Sequence, residues 1–359
     1  MAYRVLLAGG GTAGHIEPAL AVADALKSKS RDITCEFLGT NGALETLLVP
    51  KRGYRLRTIP KVVLPRTLSL QSFLFPIQLL RALVSTLSHT KDADLLIGFG
   101  GYVSAPAYLA AALRKIPIVV HEANAKPGWA NRLGRRFAKV VAVNFASVQS
   151  QWPNAVLTGM PIRQSIASVA EMKDKNQFRK LNFESWGFDP DRPLIAIFGG
   201  SQGSRHINEV VAEFIADGSD FQIIHALGVN NPLPEQRAGY LPLPYFHDMS
   251  AIYGSADLLI TRSGAVTCSE LATVGKYSVL IPLPHGNGEQ FDNAWALVEQ
   301  GAAMAVPNKE FDVVWLRKNL VGALEKARSF QSHDAGLNIH AAERIAELAL
   351  SAVNGEAKR

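Results

Sequence analysis

Cysteine is scarce in this chain, with Cys35 and Cys268 the two in 359 residues. They lie far apart, each inside an apolar run, so they read as small core residues of a reducing compartment. Neither a disulfide framework nor a metal-binding spacing is present. Aspartate, glutamate and histidine form no metal-ligand spacing either, and Asp189-Pro190-Asp191 reads as a turn ahead of a strand. No run of about 18 apolar residues occurs, which excludes a membrane-spanning helix. The first residues, Met1–Gly9, enter a strand pattern without a basic segment, long apolar segment or cleavage site, and this reads as a protein of the cytosol. Charged residues are few, at 19%, against 48% hydrophobic. A large core can be buried, and global disorder is excluded.

Two nucleotide-binding signatures are also missing. Neither glycine-rich turn is followed by the Lys-Ser/Thr of phosphate-loop hydrolases. A dinucleotide fold wants an acidic residue at the end of its second strand, and here that strand ends Phe37-Leu38-Gly39-Thr40. Glu36 lies mid-strand, alternating with core positions, so NAD and FAD are disfavoured.

What is present alternates. Arg4–Ala8, Thr34–Leu38, Leu95–Ile97, Ile118–Val120 and Val140–Val143 read as strands of a first half. Leu194–Phe198, Phe221–His225, Leu258–Thr261 and Ser278–Ile281 read as strands of a second. Helical patterns separate them at Pro18–Lys29, Ser104–Arg114, Asn208–Ile215 and Gly264–Val274, and Ala335–Val353 reads as an amphipathic terminal helix. Strands rich in Val, Ile and Leu that alternate with helices predict parallel sheets covered on both faces. At this length two domains are expected, with a boundary near Thr158–Ser168. The fold class is therefore α/β, two Rossmann-like domains whose parallel sheets face each other across a cleft.

Each half opens alike. Val5–Ala8 runs into Gly9-Gly10-Gly11-Thr12-Ala13-Gly14-His15, and Ile195–Phe198 runs into Gly199-Gly200-Ser201-Gln202-Gly203-Ser204. A strand that ends in glycines and opens a helix lets a phosphate approach free N–H groups and the positive end of the helix dipole. One such turn is weak evidence, because tight β–α turns need glycine anyway; two, each at a strand's carboxyl end, are stronger. Other polar sets follow other strands: Gly98–Ser104 with Tyr102, His121-Glu122-Ala123-Asn124, Thr261–Glu270, and Pro282–Asn293 with Gln290 and Asn293. For Asn124 and Glu270, capping or dipole roles are the bland alternatives to ligand contact.

Charge is uneven. Residues 1–160 carry 19 Lys and Arg against 8 Asp and Glu, whereas the remainder carries 18 against 23. A basic first half suits nucleic acid or an anionic membrane surface. The stretch Lys61–Leu83 carries Val62, Val63, Leu64, Leu68, Phe73, Leu74, Phe75, Ile77, Leu79 and Leu80 among Lys61, Arg66 and Arg81. It reads either as a membrane-contacting face or as a core helix with its loop, and the basic balance favours the membrane.

Taken together, several segments resemble the MurG family in order and spacing over nearly the whole chain. They are Gly9–His15 with Pro18-Ala19-Leu20, Gly100–Ser104, His121–Asn124 with Pro127-Gly128, Gly159–Arg163, Gly199–Gly203, Arg262–Glu270 and Glu289–Ala294. Members of that family are peripheral membrane transferases that add N-acetylglucosamine to lipid I, giving lipid II for bacterial peptidoglycan. Departures exist. Ala13 stands for one glycine of the usual Gly-Gly-Thr-Gly-Gly-His, Ala123 replaces a frequent Gln, and His285–Gly288 differs from many members.

The resemblance implies a GT-B fold in which residues 1–161 form an acceptor- and membrane-facing domain. Helix 335–359 would pack back on it, and residues 162–334 would bind UDP-N-acetylglucosamine. By similarity Phe246 would present backbone groups to uracil and Glu270 would take the ribose hydroxyls. Ser201 and Arg163 would meet the diphosphate, beside the helix start Ala265, Val266, Thr267, Cys268 and Ser269. Gln290 would hold the sugar, while Thr12, Ala13, Gly14 and Asn124 would complete the site from the first domain. The reaction implied is a metal-independent, cofactor-free, inverting displacement at C1 by the 4-hydroxyl of the lipid-linked muramyl sugar. It would take place at the cytoplasmic face of the membrane, with no nucleic-acid partner. His15 is the candidate base, orienting a phosphate or capping the helix being its alternative roles. Glu122 and Tyr102 are further candidates for acceptor contact. A UDP-N-acetylglucosamine 2-epimerase, a non-catalytic UDP-sugar-binding subunit and, more distantly, a dinucleotide oxidoreductase are the rival readings.

Overall fold

The computed structural model describes residues 3–62, 70–216, 218, 220–285, 287–331 and 336–355, with 70–73 described in their backbone. It divides into two compact units, Met1–Arg163 with Leu337–Arg359, and Gln164–Gly336.

The first unit runs β1 (Tyr3–Ala8), α1 (Ala13–Lys29), β2 (Ile33–Thr40), α2 (Glu45–Lys51), β3 (Arg55–Ile59), α3 (Leu70–His89) and β4 (Leu95–Gly98). It continues through α4 (Ser104–Leu113), β5 (Ile118–Glu122), α5 (Trp129–Gly134), β6 (Val140–Val143), α6 (Ala146–Gln151) and β7 (Val156–Leu157). Among the described residues these strands form one parallel sheet in the order β3-β2-β1-β4-β5-β6-β7. Its central strands are buried from end to end, as strands covered on both faces must be.

The second unit runs α7 (Gln164–Glu171), α8 (Lys175–Trp186), β8 (Leu194–Phe198), α9 (Arg205–Ala216), β9 (Gln222–Ala226), β10 (Tyr240–Leu243) and α10 (Met249–Ser255). There follow β11 (Leu258–Thr261), α11 (Ala265–Val274), β12 (Ser278–Leu280), α12 (Glu289–Glu299), β13 (Ala303–Ala305) and α13 (Val313–Ser329). Its sheet, again parallel, has the order β10-β9-β8-β11-β12-β13. The chain then forms α14 (Gly336–Ile339) and α15 (Ala341–Asn354). Helix α15 buries Ile345, Ala346, Ala349 and Ala352 at helical spacing in the first unit's core, beside Ile16, Ala19, Leu20 and Ala23 of α1.

In both sheets the strand order reverses once, between β1 and β4 in the first and between β8 and β11 in the second. Right-handed crossovers then leave on opposite faces and open a crevice at the carboxyl ends of those strands. A glycine-rich or polar turn follows each of these four strands.

Some expectations are corrected by packing. Helix α1 starts at Ala13, five residues before the predicted Pro18, so Gly14 and His15 lie in its first turn. Pro18 sits inside the helix and has no N–H to return to the Gly14 carbonyl. Strand β5 extends through His121 and Glu122, which were expected to follow it. Glu36 is indeed structural. Burial would raise its carboxyl, but Arg57 at 2.6 Å and Arg4 at 2.9 Å hold it below the usual range. Both cysteines are buried, which pushes their thiols up to about 12.

Of the expected membrane segment, residues 63–69 lie outside the described residues, and Val62 is buried. Helix α3 exposes Leu74, Ile77, Leu80 and Val84 along one side, with Arg81 beside them. No helix among the described residues is long and apolar enough to cross a membrane.

Candidate active site

In the first unit the site is built on β1, β4 and β5, which are neighbours in the sheet. Thr12 adopts an extended conformation and caps α1, its carbonyl accepting from His15 N–H at 3.1 Å and from Ile16 N–H at 3.3 Å. Its hydroxyl lies 3.2 Å from His15 Nδ1. The imidazole is half-buried against the turn after β4, where a Cβ on Gly101 would fall 3.3 Å from His15 Nδ1 and 2.6 Å from the Gly10 carbonyl. Only glycine, at φ +79°, fits this close approach. Burial lowers the His15 pKa below its ordinary value, and the Gly10 backbone and the Glu45 charge partly oppose it. Burial thus favours the neutral ring, the form able to take up a proton. Tyr102 follows the same turn and lies beside Gly11.

Glu122 ends β5 fully buried. Its Oε1 accepts from Asn124 N–H at 3.0 Å and Asn124 Nδ2 at 3.4 Å, and its Oε2 from Gly128 N–H and Asn131 Nδ2, both at 3.0 Å. Burial raises its pKa, and these N–H donors oppose that rise. The carboxyl thus fixes the Ala123–Gly128 loop and with it Asn124, which stays half-exposed. Asn131 is the hub beneath, accepting from Tyr108 OH at 2.7 Å and donating to the His121 carbonyl at 3.0 Å. His121 itself is buried, its Nε2 lies 3.2 Å from the Gly159 carbonyl, and burial lowers it to about 4. Thr12, Ala13, Gly14, His15, Tyr102, Glu122 and Asn124 thus gather at one edge of one sheet. Arg163, half-buried, ends the first of the two segments that make up this unit.

The second unit builds its set on β8, β11 and β12. The turn after β8 closes by Gly203 N–H donating to the Gly200 carbonyl at 2.9 Å and carries Ser201 half-exposed. After β11 comes Arg262, 9% exposed, its pKa lowered by burial. Its Nη1 donates to the Ile281 and Pro282 carbonyls at 3.0 and 3.4 Å and its Nη2 to Ser204 Oγ at 2.7 Å. One planar cation thereby joins the ends of all three strands.

Helix α11 starts at Ala265, and its first full-turn bond runs from Cys268 N–H to the Gly264 carbonyl, 2.9 Å. Ala265, Val266 and Thr267 precede that bond, so their N–H groups have no partner within the helix and the positive dipole end lies there. Cys268 and Ser269 are buried in the same helix. Glu270, 2% exposed, accepts from Tyr253 OH at 3.0 Å.

Gln290 opens α12. Its Oε1 accepts from Leu283 N–H at 3.0 Å and its carbonyl from Ser263 Oγ at 2.8 Å, while Asn293 Nδ2 donates to the Ser263 carbonyl at 3.2 Å. Phe246 follows β10 and packs edge-on against Phe198 of β8, ring centroids 5.8 Å apart. Ser201, Phe246, Ala265–Glu270 and Gln290 therefore belong to one sheet end. Among the described residues no cluster of His, Cys, Asp or Glu is arranged to hold a metal ion.

Sequence reasoning gave no role to Glu45, Asn131, Ser204, Tyr253, Arg262 or Ser263. Arg262, Ser263 and Ser204 lie within motifs already marked but were given no part in them. Glu45, Asn131 and Tyr253 carry no local signal, because each acts on a residue brought to it by the fold.

Two Rossmann-like units with polar sets at their switch points define a nucleotide-sugar-binding architecture, and comparison narrows it to the glycosyltransferases. Residues 5–143 match the glycosyltransferase family 28 N-terminal domain and residues 194–349 its C-terminal domain. The chain is 48% identical over 315 residues to the UDP-N-acetylglucosamine–N-acetylmuramyl-(pentapeptide) pyrophosphoryl-undecaprenol N-acetylglucosamine transferase of Corynebacterium diphtheriae, covering 86% of this chain and 84% of that one. It is 44% identical to the protein of the same name from Frankia casuarinae, covering 91% and 89%. Acinetobacter baumannii MurG superposes with a TM-score of 0.67 at 26% identity over 97% of this chain and 99% of that one. The chain belongs to the MurG family of glycosyltransferase family 28. A Neisseria meningitidis UDP-GlcNAc 2-epimerase, 16% identical with a TM-score of 0.61 over 97% of this chain and 100% of that one, shares the fold alone.

Proposed function

We propose that the chain transfers N-acetylglucosamine from UDP-N-acetylglucosamine to the 4-hydroxyl of lipid I, giving lipid II and UDP. The observation that carries this is 48% identity over most of the chain to a curated transferase of that name. The test is incubation of the purified protein with UDP-N-acetylglucosamine and a lipid I analogue, the product being identified by mass. A disaccharide product is expected. Conversion of the donor to its 2-epimer, without use of the acceptor, would reassign the protein to the epimerase reading.

The residues suit the displacement as follows. The second unit holds the donor: the free N–H groups of Ala265, Val266 and Thr267 and the turn carrying Ser201 face the diphosphate, and Arg163, the residue before this unit begins at Gln164, is the proposed added positive charge. Developing charge on the leaving UDP oxygen is stabilised there by fixed dipoles. Glu270 takes the ribose hydroxyls, Phe246 offers backbone groups to the base, and Gln290 holds the sugar.

The first unit, with Thr12, Ala13, Gly14, Tyr102 and Asn124, receives the acceptor. A bond forms from the acceptor O4 to C1 as the C1–O bond to the diphosphate breaks, on opposite faces, and His15 takes the hydroxyl proton. A neutral, half-buried imidazole fits that task. Glu122 serves this site by fixing the loop that carries Asn124.

The acceptor is a lipid, and the same reading places the protein peripherally on the cytoplasmic face of the membrane. The exposed residues Leu74, Ile77, Leu80 and Val84 of α3, with Arg81, support contact with an anionic surface.

A further inference from the structure

Glu45 is 0% exposed at the start of α2 and belongs to none of the motifs above. Its Oε2 accepts from Gly11 N–H at 3.0 Å, and its Oε1 accepts from Thr40 N–H at 2.9 Å and Thr40 Oγ1 at 3.1 Å. A buried carboxylate is costly unless donors surround it, so these three bonds are a condition of its presence. Two glycines make room for it. A Cβ on Gly10 would fall 2.6 Å from Glu45 Oε1, and one on Gly39 would fall 2.5 Å from Glu45 Cγ. Three separate segments, the turn after β1, the end of β2 and the start of α2, are thus shaped around one carboxylate.

We infer that Glu45 is a positioning residue for the transfer. It holds Gly11 so that Thr12 and His15 present the acceptor-side groups in fixed geometry, and it sets the charge environment in which His15 takes up a proton. The inference rests on the reading of His15 as base. Gly11 directly precedes Thr12, whose carbonyl and hydroxyl both meet His15, so a displaced Gly11 carries the imidazole with it.

The electrostatic side agrees: the Glu45 charge raises the His15 pKa against the lowering by burial. The Thr12 hydroxyl, the Gly100–Gly101 turn and Asn131 of α5 stand near the ring and are neutral, and the charged residues of α5 are Arg132 and, at its C-cap, Arg135. Of the remaining carboxyl groups on these elements, Glu17 lies on α1 itself. Glu122 of β5 is buried under its own N–H donors.

Glu45→Gln tests this, because an amide must turn one NH₂ toward an N–H donor and removes the charge. The expected result is a fall in kcat of about tenfold or more, with KM for UDP-N-acetylglucosamine little changed. Thermal stabilisation by UDP should persist. The His15 imidazole, titrated by NMR in the full chain, should show a midpoint lower than wild type, and the acid limb of kcat should move to lower pH with it. An unchanged midpoint with wild-type kcat would overturn the inference whether or not His15 is the base. Full activity of His15→Ala would instead overturn the base reading and leave the midpoint test standing. Glu45→Asp serves if the glutamine variant does not fold. It keeps the charge but draws the carboxylate back one methylene, so kcat should fall, and wild-type kcat in it would equally overturn the inference.

Discussion

Arg262 Nη2 donates to Ser204 Oγ across 2.7 Å, so a side chain at the end of β11 grips the turn that follows β8. The same guanidinium holds the Ile281 and Pro282 carbonyls at the end of β12. Lysine has the charge but not the planar fork, and its single nitrogen cannot span the separate positions that Nη1 and Nη2 reach. Arg262→Lys should therefore weaken UDP binding about tenfold or more, measured by calorimetry, because the turn and the α11 N-terminus lose their common anchor. Wild-type affinity in that variant would mean that the β8 turn is held by its own backbone alone.

The two glycines of that turn should behave differently. Gly200 and Gly203 both have positive φ, +92° and +74°. A Cβ on Gly200 meets nothing within 4 Å, whereas one on Gly203 would lie 1.8 Å from the Leu227 carbonyl. Gly200→Ala should cost about 1–2 kcal/mol of strain and leave a folded protein. Gly203→Ala must displace the backbone of the turn, and should lower the melting temperature further and abolish stabilisation by UDP. Equal melting temperatures for the two variants would refute the distinction.

Much of this was legible in the sequence. The central strands were readable because strands covered on both faces are runs of Val, Ile and Leu. Strand β3, Arg55–Ile59, was not, since two of its five residues are arginines, both of which pair with buried Glu36. Strand β10 carries Pro242 at the sheet edge, and β7 and β13 are too short to leave a pattern. At the site, the residues expected to meet ligands sit on glycine-rich or polar turns and advertise themselves. The residues that hold those turns do not. Glu45 acts on Gly11 from 34 positions away, and Tyr108 reaches Asn131 across 23. Such partnerships exist only once the sheet has assembled.

His15→Ala should lower kcat by more than about tenfold while UDP affinity stays at the wild-type level, because its contacts belong to the first unit and the donor groups to the second. The pH dependence follows from the direction of its pKa. A base must be neutral to act, so kcat rises as pH climbs through the His15 midpoint and then levels. Burial puts that midpoint below the ordinary 6.5 of histidine, so activity should already be on its plateau at pH 7 and decline only in acid. A profile still climbing above pH 7, or a loss in His15→Ala smaller than tenfold, would assign the proton to another group.

Helix α3 supplies the last test. Leu74, Ile77, Leu80 and Val84 are exposed at helical spacing, and Ile77 and Leu80 are 51% and 60% accessible. Fully burying one such side chain yields about 1.5–3 kcal/mol, so replacing two with serine should reduce binding to anionic vesicles by about tenfold or more. Flotation with phosphatidylglycerol vesicles at low and high salt measures this. Binding should weaken with salt as well, because the first half of the chain is strongly basic. Transfer to a short-chain, water-soluble lipid I analogue should be unaffected by Ile77→Ser/Leu80→Ser, since neither residue belongs to the acceptor-side set. If vesicle binding were intact in the double variant, the membrane face would have to lie elsewhere on the protein. If activity on the soluble analogue fell instead, α3 would be acting on the acceptor directly rather than on the bilayer that carries it.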